Sequence, residues 1–134
     1  MIRKVEARTY VHESEDENKV LKALLNVFPF PEKIKKTKFE GSFNTQIILL
    51  QGEIKREDEV KKFLENFQER VVNKLSRDEL LKRIDKKTLF LRIDKQIACA
   101  DGKIRIGNYD DCILLKLTFQ RKNEIQKVCS FLIS

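Results

Sequence analysis

The residues best suited to acid–base chemistry gather around one histidine. His12, the single histidine of the chain, is followed by Glu13, Glu15 and Asp16, and a neighbouring carboxylate can orient an imidazole for work as a general base. No nucleophile is identifiable beside it. A strand-end histidine that hydrogen-bonds to the cap of the next helix accounts for the same residues, so the sequence favours a structural role over a catalytic one.

Residues that could hold a metal ion are poorly placed to do so. Four aspartates offer oxygen ligands, namely Asp94, Asp101, Asp110 and Asp111. Acidic residues beside Gly and Asn are, however, ordinary turn formers. The chain has three cysteines, Cys99, Cys112 and Cys129. They are odd in number and widely spaced, which predicts free thiols in a reducing compartment and neither a zinc site nor a disulfide framework.

Phosphate-binding loops of the common kinds are missing. The sequence has neither GxxxxGK[ST] nor GxGxxG, the glycine-rich patterns whose backbone amides cradle nucleotide phosphates. We therefore expect no metal, no cofactor and no catalysis.

An excess of basic residues is the main signal in the composition. Lysine and arginine number 28 against 21 aspartates and glutamates, a net charge of +7 with a pI near 9.4. This balance favours a polyanionic partner such as nucleic acid, although it also serves solubility or thermophile ion-pair networks. No apolar run approaches the roughly 18 residues of a membrane span, and MIRKVEA at the N-terminus lacks a secretory signal's apolar middle. We expect a cytoplasmic protein without a membrane partner.

Basic side chains are interleaved with aromatic ones at strand spacing, which is a pattern suited to RNA. Lysine and arginine neutralise phosphates, while a tyrosine or phenylalanine ring can support an unstacked base. The candidate RNA-binding residues are Arg8, Tyr10, His12, Lys36, Lys38, Phe90, Arg92, Lys95, Gln96, Lys103 and Arg105. Packing of Tyr10 and Phe90 beneath a helix is the competing interpretation. RNA-recognition, KH and helix-turn-helix signatures are lacking.

The N-terminal elements must position the first of these residues. From Val5 to His12, apolar and polar residues alternate with the period of a half-buried strand. Ser14 and Glu17 form a capping box that predicts a helix start at Ser14. The buried stripe predicted for this helix is Val20, Leu21, Leu24, Leu25 and Phe28.

The rest of the chain alternates between strands and helices. We predict strands at 35–43, 46–54, 88–94, 104–106 and 112–120, with 95–103 as a connecting loop. A second helix is predicted from Arg56 to Leu75, in about five turns. A short third helix is predicted to begin at a second capping box, Ser76 and Glu79, with Leu80, Leu81 and Ile84 facing inward. A C-terminal helix is predicted over 122–132. Short connections imply antiparallel pairing. The prediction is a single domain, 1–134, of the α+β class, a single-layer mostly antiparallel sheet with helices packed on one face. The open face would carry Arg8, Tyr10, His12, Phe90, Arg92 and Lys116.

Three stretches together resemble a known family. YVHESEDENKVLKAL at 10–24, FEGSFNTQI at 39–47 and LRIDKQIAC at 91–99 are similar to segments of small archaeal RNA-binding proteins that are predicted exosome subunits. The patterns H-x-[ST]-E-D-x-x-K-V and R-x-D-K-Q are the most specific parts of the match. The resemblance implies a fold similar to the large-subunit ribosomal protein that holds 5S ribosomal RNA, and RNA binding without known catalysis.

We therefore expect a non-catalytic RNA-binding protein, an accessory of the archaeal exosome or of ribosomal RNA metabolism with exosome- or ribosome-associated protein partners. One alternative is a protein–protein adaptor or a self-associating module, such as a homodimer, that docks through the open sheet face. Contiguous apolar area there would favour the adaptor, whereas a basic face dotted with aromatic rings would favour RNA. A third option is a small-molecule enzyme that uses His12 and its carboxylates, which would need a pocket at that corner.

Overall fold

The structure, a computed structural model, describes residues 1–133. The strands are β1 (Ile2–Val11), β2 (Lys35–Glu40), β3 (Gln46–Ile54), β4 (Ile84–Asp85), β5 (Thr88–Asp94), β6 (Ile106–Gly107) and β7 (Cys112–Phe119). The α-helices are α1 (Glu17–Val27), α2 (Glu57–Arg70), α3 (Arg77–Lys82), α4 (Lys95–Ala100) and α5 (Glu124–Val128). Short 3₁₀ turns cover Pro31–Lys33, Ser42–Asn44 and Ser130–Leu132.

The strands form one antiparallel sheet of seven strands, in the order β2-β3-β1-β7-β5-β4, with β6 also paired to β5. Burial alternates along each central strand, since successive side chains point to opposite faces. In β1, for example, Val5 and Ala7 are buried whereas Arg8 and Tyr10 are exposed. The predicted α+β class, with helices on one face of a single layer, is confirmed.

Apolar side chains of the helices fill the space over the inner face of the sheet. Leu24 and Phe28 from the α1 segment meet Phe63 and Phe67 from α2, with ring centroids 6.3 Å apart for Phe28 and Phe63. Each fully buried side chain of this size contributes about 1.5–3 kcal/mol. This core holds α1 and α2 against the sheet and leaves the opposite face uncovered.

The start of α1 differs from the prediction. Asp16, and not Ser14, is the N-cap: its side chain accepts a hydrogen bond from the amide of the second helical residue. The residues before it form a separate turn, in which the Glu15 carboxylate accepts from the backbone N–H of His12 at 2.9 Å. The capping box predicted for Ser14 and Glu17 was wrong, because Asp16 caps the helix two residues later and the Glu17 carboxylate pairs with Lys36 instead.

The predicted loop at 95–103 was also wrong, because its first half is helix α4. The Asp94 side chain accepts from the amides of Gln96 and Ile97 at 2.9 and 3.2 Å, which is the capping that starts a helix. Ala98 is buried where α4 packs on α1. The small residues of this segment therefore serve close helix–helix contact.

The predicted second helix is too long by about a turn. It ends at Arg70, because the chain then turns extended and Val71 forms a parallel bridge with Ile104. A second parallel bridge joins Leu75 to Ile133. Backbone pairing with distant segments thus replaces the last helical hydrogen bonds.

Other boundaries agree to within a few residues. Strands 46–54 and 88–94 and the Ser76 cap of α3 are confirmed. The differences are that β1 starts at Ile2, β2 ends at Glu40, Ile84 lies in β4, β6 covers Ile106–Gly107, β7 ends at Phe119, and the C-terminal helix is divided into α5 and a 3₁₀ turn. Within residues 1–133, every helix is too short or too polar to cross a membrane.

Candidate nucleic-acid interface

A row of side chains crosses the uncovered face of the sheet. Directly opposed residues in an antiparallel ladder point to the same side. The register pairs Lys35 with Gln51, Gln51 with Arg8, Arg8 with Leu114, and Leu114 with Arg92. Neighbouring strands lie about 4.8 Å apart, so the cations repeat at about 10 Å. We call these five residues the basic row.

Aromatic rings lie next to the basic row on the same face. Tyr10, two residues after Arg8, is 40% exposed. Phe90, two residues before Arg92, is half-buried, and the Lys116 ammonium lies 5.8 Å from its ring centroid. The structure thus brings together Arg8, Tyr10, Phe90 and Arg92, as the alternation of residue types predicted.

A depression of about 610 Å³ is lined by every residue of the basic row except Arg92. Its charged lining consists of Glu6, Arg8, Glu32, Lys33, Lys35, Glu53, Lys55, Arg56, Glu59 and Lys116. Six of these side chains are cationic and four are anionic. The excess of cations is small, so positive charge at this face depends on the position of individual side chains.

The guanidinium of Arg92 is held in place by the loop before β7. Its Nη1 donates to the backbone carbonyl oxygen of Tyr109 at 3.0 Å. The Tyr109 ring in turn lies directly over Gly107, where a Cβ atom would come within 2.7 Å of the ring. Any side chain at position 107 would therefore force the Tyr109 ring to shift.

Lys95 was predicted to lie in a connecting loop. In the structure it is the first residue of α4 and is only 6% exposed. Its ammonium donates to the carbonyl oxygen of Tyr10 at 2.7 Å and to the Glu15 carboxylate at 3.0 Å. It also donates to both carboxylate oxygens of Asp111, at 2.9 and 3.1 Å. All of its donors are engaged by the protein itself. We call Lys95, Glu15, Asp111 and His12 the lysine cluster.

His12 completes this cluster from the end of β1. Its Nε2 lies 3.2 Å from Oδ1 of Asp111. Burial alone would raise the pKa of Asp111, but the hydrogen bond and charge of Lys95, and then those of His12, outweigh burial and lower it. The carboxylate therefore stays ionised, and the histidine has the structural hydrogen bond that its neighbours suggested, although with Asp111 and not with a helix cap.

Ligand atoms of His12, Glu15 and Asp111 lie within 4.8 Å of one another, which is compact enough for a metal ion. The Lys95 ammonium, however, already lies within 3.0 Å of both carboxylates. A cation bound there would face an adjacent positive charge. The chemistry that these groups support is neutralisation of the buried lysine.

The two sequence patterns of the resemblance meet at this corner. A cleft of about 590 Å³ between α1 and α4 is lined by both patterns. The lining residues include Glu15, Asp16, Lys19, Val20, Asp94, Lys95, Gln96, Tyr109 and Asp111. Gln96 is exposed at the rim. The patterns therefore define one three-dimensional site although about 75 residues separate them in the sequence.

The remaining candidates lie elsewhere. Lys36 and Lys38 oppose Leu50 and Ile48 and so point to the helix side of the sheet, where the Lys36 ammonium pairs with Glu17 at 2.7 Å. Both lysines therefore lie on the opposite side of the sheet from the basic row, and their role in RNA binding stays a prediction.

Lys103 and Arg105 are exposed near the far edge of the sheet, where Ile104 and Ile106 beside them are buried. They do not join the basic row. The sequence analysis did not identify Lys35 as a cation on the open face. Pairing β2 with β3 in a hairpin places Lys35 opposite Gln51 and would have revealed this. It also missed Asp111 as the partner of Lys95, and no local signal connects those two residues.

An open antiparallel sheet with a basic, aromatic-bearing outer face defines the class: a small α+β protein suited to a polyanionic ligand. Comparison with known proteins identifies the family within this class. A family model described as RNA binding matches residues 4–119. The chain belongs to this RNA-binding family.

Individual relatives are archaeal. The RNA-binding protein PAB1135 of Pyrococcus abyssi is 32% identical over 123 residues, covering 84% of this chain and 79% of the relative. A UPF0201 protein of the same organism is 27% identical over 132 residues, or 98% of this chain and 90% of its own. The solved structure of Mth689, a DUF54 protein from Methanothermobacter thermautotrophicus, is 33% identical with a TM-score of 0.78 and covers 98% of each chain. The predicted similarity to an exosome subunit and to the 5S-binding ribosomal protein stays a prediction.

Proposed function

We propose that this chain is a non-catalytic RNA-binding domain that holds the RNA backbone along the basic row. The register that aligns Lys35, Arg8 and Arg92 on the uncovered face carries the proposal. Membership of an RNA-binding family supports it, as does the relative PAB1135, which is named an RNA-binding protein.

The residues of this face would have different tasks. Arg8 and Arg92 contact phosphates, because a guanidinium forms paired, charge-assisted hydrogen bonds with phosphate oxygens. Tyr10 offers an exposed ring on which an unpaired base can stack. Lys116 draws the backbone toward Phe90. These contacts position RNA with little sequence preference, since most of them reach phosphate.

The outer face matches an RNA ligand better than a protein adaptor. Within residues 1–133, the large hydrophobic residues that are exposed on this face are Tyr10 and Phe39, at 40% and 47%. Leu49 opposes Tyr10 and is 8% exposed. The apolar residues of this face lie together at one end, where Phe39 opposes Ile47 and Tyr10 opposes Leu49. The charged side chains of the basic row cross the rest of the face, which favours a polyanion there.

The lysine cluster argues for binding without catalysis. Its hydrogen bonds and ion pairs join residues of the protein to one another, so the Lys95 ammonium has no donor left for a substrate. We assign the cluster to positioning of the loop that holds Arg92.

The test is RNA binding as a function of salt. The double variant Arg8→Ala/Arg92→Ala should bind a single-stranded RNA more weakly, and the slope of log K against log salt should fall by about 1.4, about 0.7 for each phosphate contact. Lys36→Ala/Lys38→Ala is the matched control, because it removes two exposed cations from the helix side of the sheet. Equal slopes for the wild type and the double variant would refute the assigned surface.

An accessory role at an exosome or in ribosomal RNA metabolism, in the cytoplasm, is the finer part of this proposal. It predicts that protein partners co-purify with the chain from an archaeal lysate and that nuclease treatment removes those bridged only by RNA. Recovery of RNA without any such proteins would limit the proposal to RNA binding.

A further inference from the structure

Phe43, at the tip of the β2–β3 hairpin, has no explanation in the packing of the fold. Its side chain is 99% exposed. Its backbone has φ of 61° and ψ of 36°, the left-handed region that a bulky residue rarely adopts. A large ring in a strained backbone position that buries nothing points to a contact outside the chain.

The tip is held by its own hydrogen bonds. The Gly41 amide donates to the Thr45 carbonyl oxygen at 2.5 Å, and the Thr45 amide donates to the Ser42 carbonyl oxygen at 3.3 Å. The Thr45 hydroxyl also donates to the Ser42 carbonyl oxygen, at 2.8 Å. Phe43 is therefore presented at a defined place above a closed turn, which lowers the entropic cost of a contact.

The strand that leads to the tip is continuous with the basic row. Lys35 belongs to the row, and Phe39 follows on the same side of β2, opposite Ile47. Every side chain of β2 is exposed. Of the three lysines between residues 35 and 45, Lys35 points to this outer side, whereas Lys36 and Lys38 point to the helix side. A phosphate backbone that follows the row can leave it at Lys35 and reach Phe43 along the outer side of β2, where Phe39 offers a second exposed ring.

The charge of β2 also favours an RNA partner over a protein strand. As an edge strand, β2 has one row of backbone groups without a strand partner among the described residues. Lysines on an edge strand discourage addition of another protein strand, whereas they attract a polyanion. The edge therefore fits RNA better than it fits a second copy of the chain.

We propose that Phe43 is a stacking site for an unpaired RNA base, reached by a strand of RNA that runs from the basic row along the outer side of β2. This inference rests on the proposed function and adds the class of ligand: RNA with a single-stranded segment or loop. A ring at the end of a hairpin arm can reach an unpaired base but not one inside a duplex.

A single indole fluorophore can be placed at the tip, because the chain contains no tryptophan. In Phe43→Trp the indole fluorescence should be quenched on titration with a single-stranded oligonucleotide, with the same midpoint as binding followed by mobility shift. Leu81→Trp is the matched control. Leu81 is 43% exposed on α3, which lies by β4 at the opposite edge of the sheet from β2, and its probe should be unaffected.

Removal of the ring gives the second readout. Phe43→Ala should raise the Kd for single-stranded RNA about tenfold, leave the Kd for blunt duplex RNA unchanged, and keep the salt slope of the wild type. Mobility shift measures this Kd without a fluorophore, so the result is independent of the tryptophan probe. Because the side chain is exposed, the variant should fold normally.

The outcomes separate the two proposals. If the wild type binds RNA with the expected salt slope but Phe43→Trp is not quenched and Phe43→Ala binds normally, this inference is wrong and the proposed function stands. If the wild type binds no RNA, both are wrong. If Phe43→Ala instead dissociates a dimer in sedimentation, without an effect on RNA affinity, the ring is a contact between copies and the inference is overturned.

Discussion

Replacing Lys95 by methionine removes one buried charge and little else. The methionine side chain is similar in length and apolar, so the space around the lysine stem stays filled. The change deletes the ammonium that donates to Tyr10, Glu15 and Asp111. We expect a clear loss of stability, and its size can be worked out from the exposure of these partners.

Breaking a fully buried ion pair costs about 3–5 kcal/mol, because the remaining charge has no solvent. The Lys95 side chain is 7% exposed, but Glu15 and Asp111 are 27% and 49% exposed, so water can solvate the carboxylates once the lysine is gone. This reduces the expected loss to about 2–3 kcal/mol. For 134 residues the unfolding entropy is about 0.28 kcal/mol/K, so Tm should fall by about 7–11 °C.

The loss should also depend on pH. The pKa of Asp111 is lowered from 3.8 in the folded state, where burial opposes but Lys95 and His12 outweigh it. A lowered carboxyl pKa stabilises the fold above the unfolded pKa, and this contribution disappears as pH falls through the folded value. In Lys95→Met the Glu15 and Asp111 carboxylates lose the ammonium that joins them, and only His12 remains beside Asp111, so protonation relieves their repulsion. The difference between wild type and variant should therefore shrink below about pH 4.

Urea denaturation at pH 7 and at pH 3, followed by circular dichroism, measures both effects. Lys36→Met is the matched control: the Lys36 side chain is 43% exposed in its ion pair with Glu17, and such a surface pair contributes about 0–1 kcal/mol. A loss at Lys95 no larger than the loss at Lys36 would refute the assignment of a buried, fully engaged ammonium. An equal loss at both pH values would refute the electrostatic explanation.

Two further predictions concern a thiol and the hairpin tip. Cys129 is 1% exposed, and burial raises its pKa to about 12, so a thiol reagent at pH 8 should modify it only after denaturation. The half-buried Cys99 should react in the native protein, and Cys112, whose pKa burial also raises, should react more slowly than Cys99. Fast reaction of Cys129 in the native protein would contradict this. Phe43→Gly should raise the free energy of unfolding by about 0.5 kcal/mol, because glycine adopts a positive φ without a Cβ clash but loses more backbone entropy on folding. Urea denaturation measures the second change, and a clear destabilisation would show that the ring packs on the fold.

Local patterns were sufficient for most of the fold. The alternation in residues 88–94 predicted β5 with its bounds, since one face of that strand is buried and the other is not. The Ser76 cap could be predicted because Ser76 and Glu79, which form it, are only three residues apart in the sequence. The end of α2 could not be found in this way. The helix ends before Val71, which pairs with Ile104. Ile104 is distant in the sequence, so the residues around Val71 do not predict this pairing.

The candidate site shows the same limit more sharply. Alternation within β1 and β5 correctly placed Arg8 and Arg92 on one face. In β2 every side chain is exposed. The residue types therefore do not alternate between apolar and polar, and they do not show which side chains point to which face of the sheet. Only the pairing with β3 reveals that Lys35 points outward and Lys36 inward. A basic run on an edge strand therefore predicts charge but not the face that carries it.

The lysine cluster and the basic row are connected, which explains why the two sequence patterns contribute to one site. Lys95 holds Asp111, which follows Tyr109 by two residues in the loop before β7, and the Tyr109 carbonyl holds the Arg92 guanidinium. Arg92 and Lys95 belong to the same short pattern, one at the open face and the other beneath it. A free loop would let the guanidinium sample many orientations, at a cost in side-chain entropy when phosphate binds. Under the proposed function, the buried lysine would act on RNA binding through the order that it imposes on the loop, and Arg92 would make the contact.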